Sequence, residues 1–315
     1  MIQREVIIVG GGPAGSSCAW RLQQHGVDCL VLDQQIFPRV KPCAGWLTPK
    51  VLKDLAFDPA EYPHGFTTFD SFQVSIRGLT FKFPTRQHAI RRVEFDNWLL
   101  RRSCADVQQH AVKTIEEVDG GYVLDGQFSA RYLVGAGGTY CPVYRSLFRA
   151  ENPKNRQSLV AATEEEFPYE ISDPRCWLWF FDDGLPGYAW YVPKANGIVN
   201  LGVGGMAEKM NASGEKLKTH WNRLIEKVER IGLVRGHDYQ PEAHTYYVRQ
   251  SLPQPRRGNA FLVGDSAGLA TVDLGEGISA AVRSGLQAAD AIVHGRPYRL
   301  EGISRYSLRA LLGFS

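Results

Sequence analysis

A glycine-rich turn directly after a buried strand constrains the fold of this chain more than any other feature. Val6–Val9 is a run of β-branched residues, which predicts a strand buried on both faces. The turn Gly10–Gly15 follows at once, helix-forming residues continue over 16–24, and a second apolar run over 27–32 ends at Asp33. This order of strand, Gly-x-Gly-x-x-Gly turn, helix, strand and acid predicts a Rossmann-like unit that binds a dinucleotide.

The residue types in this turn suit a pyrophosphate. Gly10 allows the tight turn, Gly12 lets the backbone approach the phosphates, and Gly15 lets the helix pack close to the strand. The helix N-terminus offers unpaired N–H groups and a positive dipole end, and an acid at 33 can accept from a ribose. The motif leaves NAD and FAD open. We predict cofactor contacts at Gly10, Gly12, Pro13, Ala14, Gly15 and Asp33.

A second glycine motif lies near the other end of the chain. The apolar run Ala260–Val263 precedes a Gly-Asp pair, a Gly-x-Gly segment and a helix predicted over 279–293. An acid at the strand end can accept from a ribose hydroxyl, and the following helix N-terminus favours negative charge. A domain that binds only NAD does not need this second motif, so the pair favours FAD. We predict cofactor contacts at Gly264, Asp265, Gly275, Gly277 and Ile278.

Three stretches between these motifs are distinctive. They are Pro42–Trp46 (Pro-Cys-Ala-Gly-Trp), Arg92–Leu99 (Arg-x-x-Phe-Asp-x-x-Leu) and Gly187–Gly205, which contains Gly-Tyr-x-Trp-x-x-Pro and Gly-Val-Gly. With the glycine motifs, they resemble the geranylgeranyl reductase family of FAD-dependent oxidoreductases, within the aromatic-ring hydroxylase, or p-hydroxybenzoate hydroxylase-like, superfamily. The resemblance runs from Val6 to Ile292.

The resemblance implies an α/β fold in which a Rossmann-like FAD-binding domain carries an inserted antiparallel β-sheet substrate domain. It implies flavin contacts at Cys43, Ala44 and Gly45. It also implies an FAD contact from Arg92, with Arg91 as the neighbouring alternative, and a backbone contact to the adenine at Val112. Cys43 is the candidate catalytic residue, as a proton donor or an electrostatic neighbour beside the flavin.

A hairpin predicted over 72–83 interrupts the nucleotide-binding segments. We therefore expect a discontinuous FAD-binding domain of residues 1–70, 92–158 and 250–315. The β-rich substrate domain would consist of residues 71–91 and 159–249. Aromatic residues are concentrated between positions 177 and 191, where about half are expected in a sheet core. The others predict an aromatic wall for an apolar substrate, and we assign the pocket to Trp46, Trp179, Tyr188 and Trp190.

Two departures from the family pattern leave the reaction open. Gly137 stands where relatives carry Asp, and Val272 stands where they carry Pro. The first hypothesis is a reductase that saturates apolar isoprenoid double bonds by hydride transfer from reduced flavin, with NAD(P)H or ferredoxin as electron donor. The second is a flavin-dependent monooxygenase that hydroxylates an aromatic ring or a protein side chain. The third is a non-catalytic FAD-binding partner in an assembly.

Charge and composition limit the classes of partner that this protein is expected to bind. The 36 basic residues against 33 acidic ones are scattered, which argues against nucleic acid. No segment approaches the length of apolar sequence that spans a membrane, and the six cysteines form no CxxC pair. We expect a cytoplasmic protein with at most peripheral membrane contact and no metal. Its expected partner is a small apolar or aromatic substrate, with a protein or peptide substrate as the alternative.

Overall fold

The computed structural model describes residues 1–312. The chain divides into two compact units. We call residues 1–39, 93–154 and 247–307 the nucleotide unit, and residues 40–92, 155–246 and those from 308 onward the sheet unit. The predicted fold class is confirmed, because one unit contains a Rossmann-like parallel sheet and the other a largely antiparallel sheet.

The elements alternate between the two units along the chain. The strands are β1 (Ile2–Val9), β2 (Cys29–Asp33), β3 (Trp46–Leu47), β4 (Thr67–Ile76), β5 (Leu79–Ala89), β6 (Asp106–Gln109), β7 (Ile115–Val118), β8 (Gly121–Leu124), β9 (Phe128–Gly135), β10 (Leu159–Pro168), β11 (Cys176–Phe180), β12 (Gly187–Lys194), β13 (Ile198–Met206), β14 (Glu242–Tyr247), β15 (Arg256–Arg257) and β16 (Ala260–Leu262). The helices are α1 (Pro13–Gln24), α2 (Pro49–Asp54), α3 (Arg92–Arg102), α4 (Ala207–Ser213), α5 (Leu217–Arg230), α6 (Ile278–His294) and α7 (Leu308–Leu311).

The nucleotide unit is built on five parallel strands in the order β16-β9-β1-β2-β6. The β-branched run Val6–Val9 is the buried half of β1, as predicted. The second strand begins at Cys29 rather than at Val27, because the Val27 N–H still donates to Leu22 O at the end of α1. Val112, the predicted backbone contact to the adenine, lies in the loop that follows β6.

The sheet unit contains eight strands in the order β14-β10-β13-β12-β11-β4-β5-β3. Strands β10, β13, β12 and β11 pair with one another in antiparallel order, as do β4, β5 and β3, whereas β11 runs parallel to β4. Helix α5 covers one face of this sheet, where Trp221, Leu224 and Val228 pack against Tyr191 and Leu201. Among residues 1–312, no helix is both long and apolar enough to cross a membrane.

The unit boundaries differ from the predicted domain boundaries by more than four residues at two places, and by one to four residues elsewhere. Residues 40–70 were assigned to the FAD-binding domain, but they belong to the sheet unit because β3 pairs with β5 and β4 begins at Thr67. The residues from 308 onward also belong to the sheet unit. Thr85 of β5 donates a hydrogen bond to Leu311 O there at 2.7 Å. The last three predicted residues of the domain, 313–315, lie outside the described residues.

Candidate cofactor and substrate sites

The first glycine turn leaves bare backbone at the N-terminus of α1. A Cβ on Gly10, whose φ is +111°, would collide with Ala136 O, and one on Gly15 would collide with Gly10 O. Neither position therefore tolerates a side chain. Gly12 differs, since the only atom near its Cβ position is Nη2 of Arg39 at 3.3 Å. Among the described residues no side chain caps α1, so its first N–H groups are available to an anion.

Asp33 holds the glycine turn in place from the end of β2. Its Oδ2 accepts from the Gly11 N–H at 2.7 Å, and its Oδ1 accepts from the Gln35 N–H at 2.9 Å. A carboxylate oxygen can accept more than one hydrogen bond, and the half-buried side chain keeps capacity for a ribose hydroxyl. The predicted contact therefore fits a dinucleotide, as does the bare turn beside it.

Sequence reasoning missed Arg39 as a candidate phosphate contact. Its guanidinium lies beside the Gly12 turn, and its Nη1 is 3.3 Å from Oδ2 of Asp96, which is fully buried. The residue was visible in the sequence only as part of a basic loop, and its ion partner lies far away in α3. The arrangement places a positive charge beside the N-terminus of α1, where it would suit a pyrophosphate.

We predict that Arg39→Gln lowers both stability and FAD affinity, for separable reasons. Leaving the buried Asp96 carboxylate without its cation should cost about 2 kcal/mol of unfolding free energy. Loss of the phosphate-facing charge should weaken FAD binding about tenfold. Urea unfolding and fluorescence titration with FAD measure the two effects. The double variant Arg39→Gln/Asp96→Asn should regain stability but not affinity, and a regain of both would contradict the phosphate role.

The two glycine motifs, far apart in sequence, meet in the nucleotide unit. A Cβ on Gly264 would lie 3.0 Å from the Ala14 Cβ, and one on Gly285 of α6 would collide with Ala14 O. The Gly264 N–H also donates to the Ser284 hydroxyl at 2.9 Å. Close packing of α1 on α6 therefore brings the predicted contacts of both motifs to one region of this unit.

The half-buried Asp265 lies directly beyond β16, and its Oδ1 is 3.3 Å from the position of a Cβ on Gly277, which precedes α6. Gly275 lies in the turn before α6, where its N–H donates to Thr271 O at 2.9 Å, and Ile278 is the buried first residue of that helix. Val112 is buried in the core of the same unit. These positions agree with the predicted cofactor contacts, which remain predictions.

Both departures from the family pattern have local structural reasons. The Val272 N–H donates to Arg305 O at 2.9 Å, and Pro could not make this bond. The Asp273 carboxylate accepts from the Ser307 N–H at 2.8 Å, so this turn anchors the segment near 305–307. A Cβ on Gly137 would lie 3.3 Å from the Cα of buried Cys141, which leaves little room for a side chain.

The predicted flavin-contact loop lies in the sheet unit. Gly45 has a φ of +75°, and a Cβ there would collide with Ile90 O. The Gly45 N–H donates to Sγ of the half-buried Cys43 at 3.4 Å. Nζ of Lys194 lies 3.5 Å from Cys43 O and 3.0 Å from the Cβ position of Gly45. The side chain of a lysine on β12 therefore contacts the backbone of the Cys43–Gly45 loop.

Three of the four predicted pocket residues lie together. Trp46 stacks against Phe72 and Tyr188, with ring centroids 5.5 and 6.4 Å apart, and Tyr188 contacts Trp190 at 5.5 Å. Trp179 does not join them. It pairs with Ala189 across β11 and β12 and packs in the core under α5. Because adjacent strand residues point to opposite faces, Trp179 lies on the face opposite Trp190. We therefore remove it from the pocket.

Buried charges beside the aromatic residues were also missed. Glu166 of β10 accepts from Lys194 Nζ at 2.6 Å and from Arg91 Nε at 2.8 Å, while Glu164 is 3% exposed. The signal available in the sequence was three consecutive glutamates inside a strand. Arg91, the alternative to Arg92 as the predicted FAD contact, is thus paired with Glu166 within the sheet unit. Arg92 is the first residue of α3. The pKa of His244 is lowered to about 4, chiefly by burial, then by the charge of Lys41 and last by that of Arg92.

A group of metal-binding residue types lies at the ends of α1 and α6. Donor atoms of His25, Asp290 and His294 lie within 4.8 Å of one another. However, Arg21 Nε is 2.8 Å from Asp290 Oδ1 and would compete with a cation for this carboxylate. The group is better described as an ion pair between two helices, flanked by two histidines.

Comparison with known proteins identifies the family. A profile described as an NAD(P)-binding Rossmann-like domain matches residues 8–75. Digeranylgeranylglycerophospholipid reductase 1 of Methanopyrus kandleri is 27% identical over 314 residues, covering 92% of this chain and 80% of that protein. An uncharacterised protein of Methanosarcina barkeri is 31% identical over 311 residues, covering 93% of this chain and 75% of that protein. The chain belongs to the geranylgeranyl reductase family of FAD-dependent oxidoreductases.

Solved structures show the same fold. A geranylgeranyl bacteriochlorophyll reductase-like protein from Thermoplasma acidophilum superimposes with a TM-score of 0.80 at 20% identity, covering 100% of this chain and 82% of that chain. Membership in the geranylgeranyl reductase family makes FAD the cofactor of the glycine motifs. The bare Gly12 turn, the uncapped α1 and the Arg39 guanidinium fit its pyrophosphate.

Proposed function

We propose that this protein is a reductase that saturates carbon–carbon double bonds in a small apolar isoprenoid substrate, with NAD(P)H or ferredoxin as electron donor. The observation that carries the proposal is the aromatic surface of Trp46, Phe72 and Tyr188, which begins at the end of the Cys43–Gly45 loop. In relatives of this family, that loop lies along the flavin. An apolar chain would therefore bind beside the reactive face.

Different residues of the chain would bind the cofactor, position the loop beside it and exclude water. Bound FAD would supply the hydride. The first glycine turn and Arg39 would hold the pyrophosphate, while the Lys194 contact fixes the Cys43 backbone. Buried Trp46 and Trp190 offer apolar surface that excludes water from a hydrocarbon substrate. Exclusion of water would also protect a cation-like carbon of the substrate from capture by water.

The proposal is tested with the full chain loaded with FAD and reduced anaerobically with dithionite. Geranylgeranyl diphosphate serves as the isoprenoid probe, and mass spectrometry follows the product. We expect the flavin absorbance to return as the probe gains two hydrogens per saturated bond. In a second arm, the reduced protein is exposed to air with an aromatic probe, and incorporation of an oxygen atom would instead support the monooxygenase. A flavin that accepts no electrons from NAD(P)H, ferredoxin or dithionite would support the assembly partner.

A further inference from the structure

Alternation along β10 separates its three glutamates. Glu165 lies on the face toward α5, where its carboxylate accepts from the Gln240 N–H at 2.6 Å and lies 2.8 Å from His237 Nε2. Glu164 pairs with Gly202 and, through it, with Trp190, so its side chain lies on the aromatic face of the sheet. A carboxyl group thus faces the same side as the proposed apolar substrate surface.

The neighbouring cations pair with Glu166 rather than with Glu164. Glu166 uses one oxygen for Lys194 at 2.6 Å and the other for Arg91 at 2.8 Å, and Lys194 also contacts the Cys43 carbonyl. Within residues 1–312, no cation forms an ion pair with Glu164. A buried carboxyl group without an ion partner favours its protonated form.

The surroundings of Glu164 suit a group that releases and regains a proton. The pKa of Glu164 is raised to about 7, chiefly by burial and also by the Glu166 charge, against the opposing effects of Lys194, the Asn200 side chain and Lys41. The Trp190 indole donates to Asn200 Oδ1 at 2.7 Å, which directs the amide nitrogen of Asn200 away from Trp190 and leaves it free to donate. The carboxylate formed after proton release would therefore be stabilised by Asn200 and Lys194.

We propose that Glu164 is the acid that protonates the substrate carbon when the double bond is saturated. This inference rests on the proposed reductase function. One carbon of the double bond receives the hydride from reduced FAD, which is thereby oxidised. The π electron pair forms the second C–H bond with the proton of Glu164, whose O–H bond breaks. The resulting carboxylate regains its proton from water, so the atoms and electrons balance.

The first test needs no turnover. Infrared spectra of the full FAD-loaded chain, recorded below and above neutral pH, should show a buried carboxylic acid band that is lost as the pH rises. The amplitude of this band should fall in Glu164→Gln and stay unchanged in Glu165→Gln, which makes the same change on the opposite face of the same strand. Glu276, whose pKa burial also raises to about 7, contributes a band that remains in both variants. An amplitude in Glu164→Gln equal to that of the unchanged chain would overturn the proposal.

The second test uses the reduced protein and geranylgeranyl diphosphate. Glu164→Gln should slow saturation of the probe about 100-fold, while the flavin is still reduced by dithionite at the rate of the unchanged chain. The unchanged chain should lose rate above neutral pH, and the residual rate of Glu164→Gln should be independent of pH in that range. Glu165→Gln should follow the unchanged chain.

The outcomes separate the two proposals. If the unchanged chain does not saturate the probe, the proposed reductase function fails, while the infrared band still decides whether Glu164 stores a proton. If the probe is saturated and Glu164→Gln retains the full rate, Glu164 is not the donor. A loss of rate and of its pH dependence in Cys43→Ala alone would assign the proton to the thiol and would also overturn the proposal.

Discussion

Replacing Gly12 with Asp is expected to weaken FAD binding about 1000-fold without unfolding the protein. Gly12 is the N-cap of α1, and the space at its Cβ position is open except for the flexible end of Arg39, 3.3 Å away. Asp is a favoured N-cap residue and complements the helix dipole. The new carboxylate would therefore occupy the N–H groups and the guanidinium that the pyrophosphate needs, and would repel the phosphates at short range.

Two measurements on the same sample separate binding from folding. Titration of the apoprotein with FAD gives the affinity, and thermal unfolding without FAD gives the stability, which should be equal to or above that of the unchanged chain. Gly302→Asp is the matched control, because this glycine has open space around its Cβ position and lies in the same unit. Equal affinity in Gly12→Asp and Gly302→Asp would remove the glycine turn from the cofactor site.

Replacing Lys194 with Met is expected to lower the free energy of unfolding by about 3 kcal/mol at neutral pH. The lysine side chain is 1% exposed and pairs with Glu166 at 2.6 Å. Met fills the same space but leaves the Glu166 carboxylate, and any charge on Glu164, without this cation. Arg91 remains as a partner for Glu166, which keeps the expected loss at the lower end for a broken buried pair.

The pKa of Glu166 determines how the stability difference between the unchanged chain and Lys194→Met changes with pH. Burial opposes ionisation of Glu166, but Lys194 and Arg91 outweigh it and lower the pKa below its ordinary value of 4.5. A carboxyl group with a lowered folded-state pKa stabilises the protein above its unfolded-state pKa, and this contribution disappears as the pH falls through the folded-state value. The stability difference between the unchanged chain and Lys194→Met should therefore shrink in acid.

Urea unfolding at neutral and acidic pH measures this difference. Lys209→Met is the control, since Lys209 is exposed on α4 of the same unit and should change stability by no more than about 0.5 kcal/mol. The double variant Lys194→Met/Glu166→Gln should recover part of the loss, because it removes the charge that lacks a partner. A loss in Lys194→Met that does not vary with pH would indicate packing rather than charge.

Local patterns were enough to predict the nucleotide unit. A β-branched run, a glycine turn and a helix lie next to one another in the chain, and each depends on neighbours a few residues away. Helix α6 was predicted within one residue at each end, since small and apolar residues repeat at helical spacing. The error at the start of β2 was also local, because Val27 closes the end of α1.

The sheet unit was harder to predict, because strand alternation does not say which face carries the site. Trp179 and Trp190 are both buried aromatic residues, and only the pairing of β11 with β12 places them on opposite faces. The same limit hid the glutamates of β10. Three acids in a row indicate an unusual strand, but the face on which Lys194 lies decides which two of them share a buried cluster.

The sequence by itself determined that this chain folds around two glycine motifs and belongs among FAD-dependent oxidoreductases, because bare backbone at Gly12 and acids at strand ends are local requirements of the cofactor. Only the tertiary structure decided that Ala14 packs against Gly264, that Arg39 pairs with Asp96, and that Glu164 shares a sheet face with Trp190. The physical reason is that these contacts join residues far apart in the chain, through packing and strand register that no short segment specifies.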